Sequence, residues 1–217
     1  MRNDELTENH PRRLIVDLCR RFYTLGWVSG TGGSMSIFQS GRVYVPPSGV
    51  QKECLAEEDI FVLDTSGNIL SGPGPGYNVS ACTPIFLKTF HHRGSGAVIH
   101  SHAIDAVLAT LIASDVFEIT HMEMIKGIVG SGYHDKLVVP IIENTTHESE
   151  LVETVAEAMQ AYPASHAVLV RRHGVYIWGD NWKQTKVHAE SYHYLFEMAV
   201  RMHQIGFDPT AAPSHPD

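Results

Sequence analysis

Two histidines one residue apart, His100 and His102, end a run of small and β-branched residues, Ala97-Val98-Ile99. Such a run reads as a buried strand, and strand alternation places residues i and i+2 on one face. The two imidazoles therefore point the same way and Ser101 the other, which is how a protein presents half of a metal site. The competing reading is a pair of hydrogen-bonded core histidines. A catalytic zinc site takes three protein ligands and keeps a fourth position open. His173 is the best third ligand: it follows the apolar strand Val168-Leu169-Val170, and Gly174 after it permits a close backbone approach. Taken alone, His173 would be a surface turn histidine. His91 and His92 are adjacent on a helix, diverge around its axis and cannot chelate together. His188, on the last helix, is expected at the surface or at an interface.

Further positions could carry chemistry. Glu123 lies among Met122, Met124 and Ile125, and apolar surroundings would disfavour its charged form and suit it to proton transfer. Its plain alternative is a surface carboxylate paired with Lys126. The loops Thr31-Gly32-Gly33-Ser34 and Ser48-Gly49, with Ser80, offer backbone N–H groups and hydroxyls, without a lysine, that could cradle a phosphate. Ordinary turn glycines are the competing reading for each loop. There is no Gly-x-Gly-x-x-Gly and no P-loop pattern, so a nucleotide is not indicated.

The chain around these residues has 217 positions, which fits one large domain, and 43% hydrophobic residues supply its core. A (β/α)8 hydrolase barrel, which also uses a His-x-His pair, needs about 250 residues. A formal net charge of −8 without a basic stripe argues against nucleic acid as a partner. Cys19, Cys54 and Cys82 share no short spacing, so neither a disulfide framework nor a thiolate zinc knuckle is expected. Met1 to Asn9 has no apolar core for a signal peptide, and no apolar run approaches the ~20 residues of a membrane span. A cytoplasmic location without a membrane partner is the resulting expectation.

Helical spacing of Leu14, Ile15, Leu18, Cys19 and Phe22 after His10-Pro11 predicts an amphipathic helix. Hairpins are predicted around Gln39–Gly41 and Thr65–Asn68. A short helix capped by Ser48 in a Ser-x-x-Gln box follows the first hairpin, and Thr83-Pro84 starts another helix. The His-x-His strand precedes a helix through Ala106 and Ile112. Residues 137–141 form a strand, Glu148–Tyr162 a helix, and 167–170 and 175–178 strands. A long final helix is capped by Asp180. The expected organisation is a flexible stretch over 1–9, one α/β domain over 10–207 with a mixed, largely antiparallel central sheet, and a frayed tail over 208–217.

In their order along the chain, Thr31-Gly32-Gly33, Pro47-Ser48-Gly49, Cys82-Thr83-Pro84, His100-x-His102, Glu123–Gly127 and Arg172-His173-Gly174 resemble the class II aldolase/adducin superfamily. The resemblance runs from about residue 10 to 207 and is greatest to the dehydratase branch that serves methionine salvage. It implies a three-layer α/β/α domain, a homotetramer, and one zinc per subunit near subunit interfaces. It assigns His100, His102 and His173 as ligands, Glu123 as catalytic acid/base and Cys82 as a substrate contact. Gly33, Ser34, Ser48 and Gly49 become phosphate contacts. Sugar-phosphate aldolases of the superfamily carry a catalytic Glu in a Ser-Ser-Glu pattern that here reads Ser80-Ala81-Cys82, and tend to have Asn where this chain has Ser34. The lost carboxylate favours removal of water over carbon–carbon cleavage. Aldolase or epimerase chemistry is the alternative within the superfamily. A non-catalytic interaction module, with a cell-death-related protein partner, is the alternative outside enzymology.

Overall fold

The computed structural model describes residues 9–213. Among them, five α-helices, α1 (Pro11–Thr24), α2 (Thr83–Arg93), α3 (Ile104–Ile112), α4 (Val152–Ala161) and α5 (Trp182–Gln204), alternate with nine strands. The strands are β1 (Ser34–Gln39), β2 (Arg42–Val45), β3 (Phe61–Leu63), β4 (Ile69–Ser71), β5 (Ala97–Ser101), β6 (Val116–Thr120), β7 (Lys136–Ile142), β8 (Ala167–Val170) and β9 (Gly174–Gly179). They form one sheet in the order β4-β3-β2-β1-β5-β9-β8-β7-β6, antiparallel throughout except for the β7–β8 pair. Both expected hairpins are present, as β1–β2 and β3–β4.

Each face of the sheet is covered. Leu14, Ile15 and Phe22 of α1, Ala106 and Ala109 of α3, and Tyr192, Leu195 and Phe196 of α5 pack on one side. Ile85, Phe86 and Phe90 of α2 with Val155 and Met159 of α4 pack on the other. Strand alternation sorts β5 accordingly: Ala97 and Ile99 belong to the first layer and Val98 to the second. This is the mixed, mostly antiparallel sheet expected from the residue pattern, in the α/β/α architecture that the family resemblance implied.

Several local expectations need correction. The long final helix is capped by Asn181, whose Oδ1 accepts from the N–H groups of Lys183 and Gln184, and not by Asp180. No capping box forms at Ser48; the short turn there is a 3-10 segment, Lys52–Cys54, whose N-cap Gln51 makes no side-chain capping bond. The helix expected from Glu148 begins as a 3-10 turn, Glu148–Leu151, and becomes α-helical at Val152. His188 is fully buried, its Nδ1 2.7 Å from the Trp178 carbonyl oxygen while its Nε2 accepts from Val129 N–H. Residues 1–8 and 214–217, nearly all of the first expected flexible end and four residues of the second, lie outside the described residues; within the second, Pro209 accepts a hydrogen bond from Thr120 N–H at 3.0 Å.

Candidate metal centre

β5, β7 and β8 end, and β9 begins, at the same edge of the molecule, as the pairings Ser101–Val175, Ile142–Val170 and Val170–Gly174 require. His100 and His102 arrive there at the end of β5. His173 arrives on the turn between β8 and β9, where Arg172 adopts a φ of 55°. A Cβ on Gly174 would collide with the Ser101 carbonyl, so only glycine lets this turn close against β5. Arg171 anchors the turn through the carbonyls of Thr110, Ala113 and Ser114 and through Glu143.

The three side chains converge on their Nε2 atoms. Separations are 2.8 Å for His100–His102, 3.1 Å for His102–His173 and 3.3 Å for His100–His173. With metal–imidazole bonds of about 2.0–2.1 Å, ligand atoms at tetrahedral corners stand about 3.3 Å apart. Outer partners fix the ring orientations. His100 Nδ1 donates to the Val175 carbonyl at 3.2 Å and His173 Nδ1 to Asn144 Oδ1 at 3.0 Å. That leaves the Nε2 lone pairs of His100 and His173 facing inward. His100 also stacks on Tyr176, with centroids 4.0 Å apart. Burial first, then the neighbouring imidazoles, holds His100 well below the ordinary range, and burial with His173 brings His102 down to about 4. Burial lowers His173 as well. Neutral imidazoles with lone pairs aimed at a common point fit a divalent cation and fit little else.

A fourth group completes the cluster, and the sequence reading did not single it out. Glu148 opens the 3-10 turn before α4, and one of its oxygens lies within 4.8 Å of all three imidazole donors. Its signal was weak, because a glutamate in His147-Glu148-Ser149-Glu150 reads as an ordinary acidic helix start. Cys82, the N-cap residue of α2, is buried and donates its thiol to Glu148 Oε2 at 3.0 Å. Burial, reinforced by the Glu148 carboxylate, pushes that thiol upward, so it stays protonated.

The glycine-rich loop packs against the site. A Cβ on Gly32 would stand 2.5 Å from His102 Nδ1, and Gly33 has a φ of 73° beside the His100 carbonyl. Ser34 pairs with His100 across β1–β5, and its buried hydroxyl has no partner among the described residues. Ser48 and Gly49 are exposed on a loop whose neighbour Pro47 bridges to Val79, two residues before Ala81-Cys82. The lysine judged missing from these loops is present in space. Lys52 is buried and donates Nζ to the Thr31 and Val50 carbonyls at 2.9 and 3.0 Å.

Glu123 is elsewhere. β6 runs antiparallel to β7, with Thr120 opposite Lys136, so the turn Glu123–Gly127 begins at the far end of β7 from the histidines. At about 3.3 Å per residue that is roughly 20 Å along the sheet. Its side chain is 73% exposed and pairs with Lys126 at 2.9 Å, so the apolar surroundings expected for it are absent within one chain.

Three imidazoles gathered at one end of a mixed sheet between two helical layers define an α/β/α domain with a side-chain cluster able to hold a metal ion. The chain belongs to the class II aldolase/adducin family: residues 13–200 match the model described as Class II Aldolase and Adducin N-terminal domain. It is 51% identical over 215 residues to the methylthioribulose-1-phosphate dehydratase of Homo sapiens, covering 95% of this chain and 89% of that one. It is 53% identical over 220 residues to a probable bifunctional methylthioribulose-1-phosphate dehydratase/enolase-phosphatase E1 of Populus trichocarpa. There the match covers 94% of this chain but only 42% of the relative. Among solved structures an L-fuculose 1-phosphate aldolase superposes with a TM-score of 0.79 at 22% identity, over 98% of this chain and 94% of that one, a likeness of fold. Among the described residues no helix is long and apolar enough to cross a membrane.

Proposed function

We propose that this chain is a zinc-dependent hydro-lyase that converts 5-methylthioribulose 1-phosphate to 2,3-diketo-5-methylthiopentyl 1-phosphate and water, in methionine salvage. The observation that carries this reading is identity of about half, over nine-tenths of the relative's length, to proteins named for that dehydration. Cys82, where the superfamily's aldolases carry a catalytic Glu, points the same way.

A zinc ion held by His100, His102 and His173 would supply Lewis acidity toward the ketose carbonyl. The remaining work belongs to the chain. Gly33, Ser34, Ser48 and Gly49 hold the phosphate, and Lys52 braces the first loop through the Thr31 carbonyl. Cys82, neutral and buried, touches the substrate without attacking it. A base removes the C3 proton and an acid delivers a proton to the departing C4 hydroxyl, and one carboxylate can do both in turn. Glu123 takes that role from a neighbouring copy, because its own histidines stand at the other end of the sheet. The working unit is therefore an oligomer, and a homotetramer is the form we infer; its expected location is the cytoplasm.

The test is a dehydration assay on 5-methylthioribulose 1-phosphate. Turnover is expected to vanish with a chelator and return with zinc. Cleavage of a pentulose phosphate, with no diketone from the methylthio substrate, would assign the chain to aldolase chemistry instead.

A further inference from the structure

We infer that Glu148 is a fourth protein donor to the metal, oriented for that task by the Cys82 thiol. The inference rests on the three-histidine reading above and adds a ligand from a different element. The Glu148 side chain is 23% exposed, and its Oε1 lies 3.8 Å from both His100 Nε2 and His173 Nε2. Its other oxygen is occupied by the Cys82 S–H. The ring protons of His100 and His173 are spent on the Val175 carbonyl and on Asn144. What faces the centre of the cluster is therefore a carboxylate oxygen and two imidazole lone pairs, with at most the one proton of His102 to share among them. Acceptors turned toward one another are unfavourable unless a cation lies between them.

The carboxylate is held from two sides. Leu151, in the same short turn, is fully buried in the layer that α2 and α4 build. Cys82 is fixed at the start of α2, where its N–H meets Ser80 Oγ at 3.4 Å. An oxygen at a tetrahedral corner would sit about 3.3 Å from its imidazole neighbours. Oε1 needs to move only about half an ångström to meet that spacing, within the freedom of a glutamate side chain. Carboxylate oxygen is an ordinary companion to histidine on zinc. The fold thus supplies a carboxylate from the turn before α4, while the residue at the start of α2 is the thiol that positions it. A donor held by one hydrogen bond and a half-ångström shift is also one that a substrate oxygen can replace.

Two measurements test this on the full chain. The crystal structure of the zinc-loaded protein is expected to show Glu148 Oε1 about 2.0–2.2 Å from the ion. In competition with a chromophoric chelator, Glu148→Gln is expected to bind zinc at least about tenfold more weakly than the unaltered protein, with His173→Ala marking the loss of a ligand. Zinc present on three histidines with Oε1 beyond about 3 Å, or equal affinity in Glu148→Gln, would overturn the inference and leave the three-histidine reading standing. An unaltered protein that competes for no zinc would overturn both, a distinct outcome. The crystal structure uses the unaltered chain, so the inference remains testable even if Glu148→Gln folds poorly.

Discussion

Of the three converging histidines, His102 has the least slack. Its backbone N–H is tied to the Trp27 carbonyl at 2.8 Å, and its ring lies against Gly32. Replacing Gly32 with alanine puts a methyl group where the ring is, and the imidazole must swing away from His100 and His173. Gly32→Ala is therefore expected to fold, as judged by its circular dichroism, yet to lose about tenfold or more in zinc affinity. Affinity equal to the unaltered protein would show that the loop does not set the ring. Deleting a proposed ligand outright is more severe: His100→Ala should emerge from purification with little of the one zinc per chain expected by elemental analysis, and full occupancy would displace the site from β5. The three histidines were readable from sequence because strand parity fixes where His100 and His102 point, and because Gly174 marks a backbone contact that no other residue tolerates. Glu148 and Lys52 were not readable. Each sits in a polar stretch of ordinary composition, and each reaches the site only through packing between elements far apart in the chain.

At the scale of elements, α5 buries polar groups that a surface helix would leave in water. His188 lies under the helix against β9, and His166 packs against it with ring centroids 4.5 Å apart and the planes tilted by 43°. Burial, then His188 and Arg93, brings His166 down to about 4; burial lowers His188 too. In the unfolded chain these rings titrate near 6.5. As pH falls, the unfolded state takes up protons first, so the stability tied to the neutral rings is complete above about pH 6.5 and is lost on the way down toward 4. Urea unfolding of zinc-free protein should show a midpoint that drops over that window, and His166→Gln should make the drop shallower. A slope unchanged by the substitution would assign the acid sensitivity to the clustered His100, His102 and His173 instead. The placement of His188 also shows why a surface position was expected: its helical neighbours Val187 and Glu190 mix apolar and charged types, and nothing local announces that β9 presents a free carbonyl beneath the helix. Strand pairing and layer order, by contrast, were legible in outline, because alternating apolar runs and turn residues recur from β1 to β9.

For the whole molecule, the governing dimension is the length of β7, which sets the histidines and Glu123 at opposite ends of one sheet. The exposed apolar residues Ile104, Leu111, Ile205 and Phe207 lie on or just beyond α3 and α5, consistent with a chain that packs against copies of itself. The same separation has a genetic reading. A chain with Glu123→Gln keeps its histidines and lacks its carboxylate; a chain with His173→Ala does the reverse. Each should be inactive by itself. Unfolded together and reassembled in equal amounts, they should recover about a quarter of the unaltered turnover, because one pairing in four joins intact histidines from one chain to an intact Glu123 from another. No recovery in properly reassembled oligomers would place the proton carrier within the chain that holds the metal, with Glu148 the carboxylate at hand. Two alleles, each silent alone, would then fail to complement. If they do complement, the unit of inheritance and the unit of catalysis are different objects in this protein.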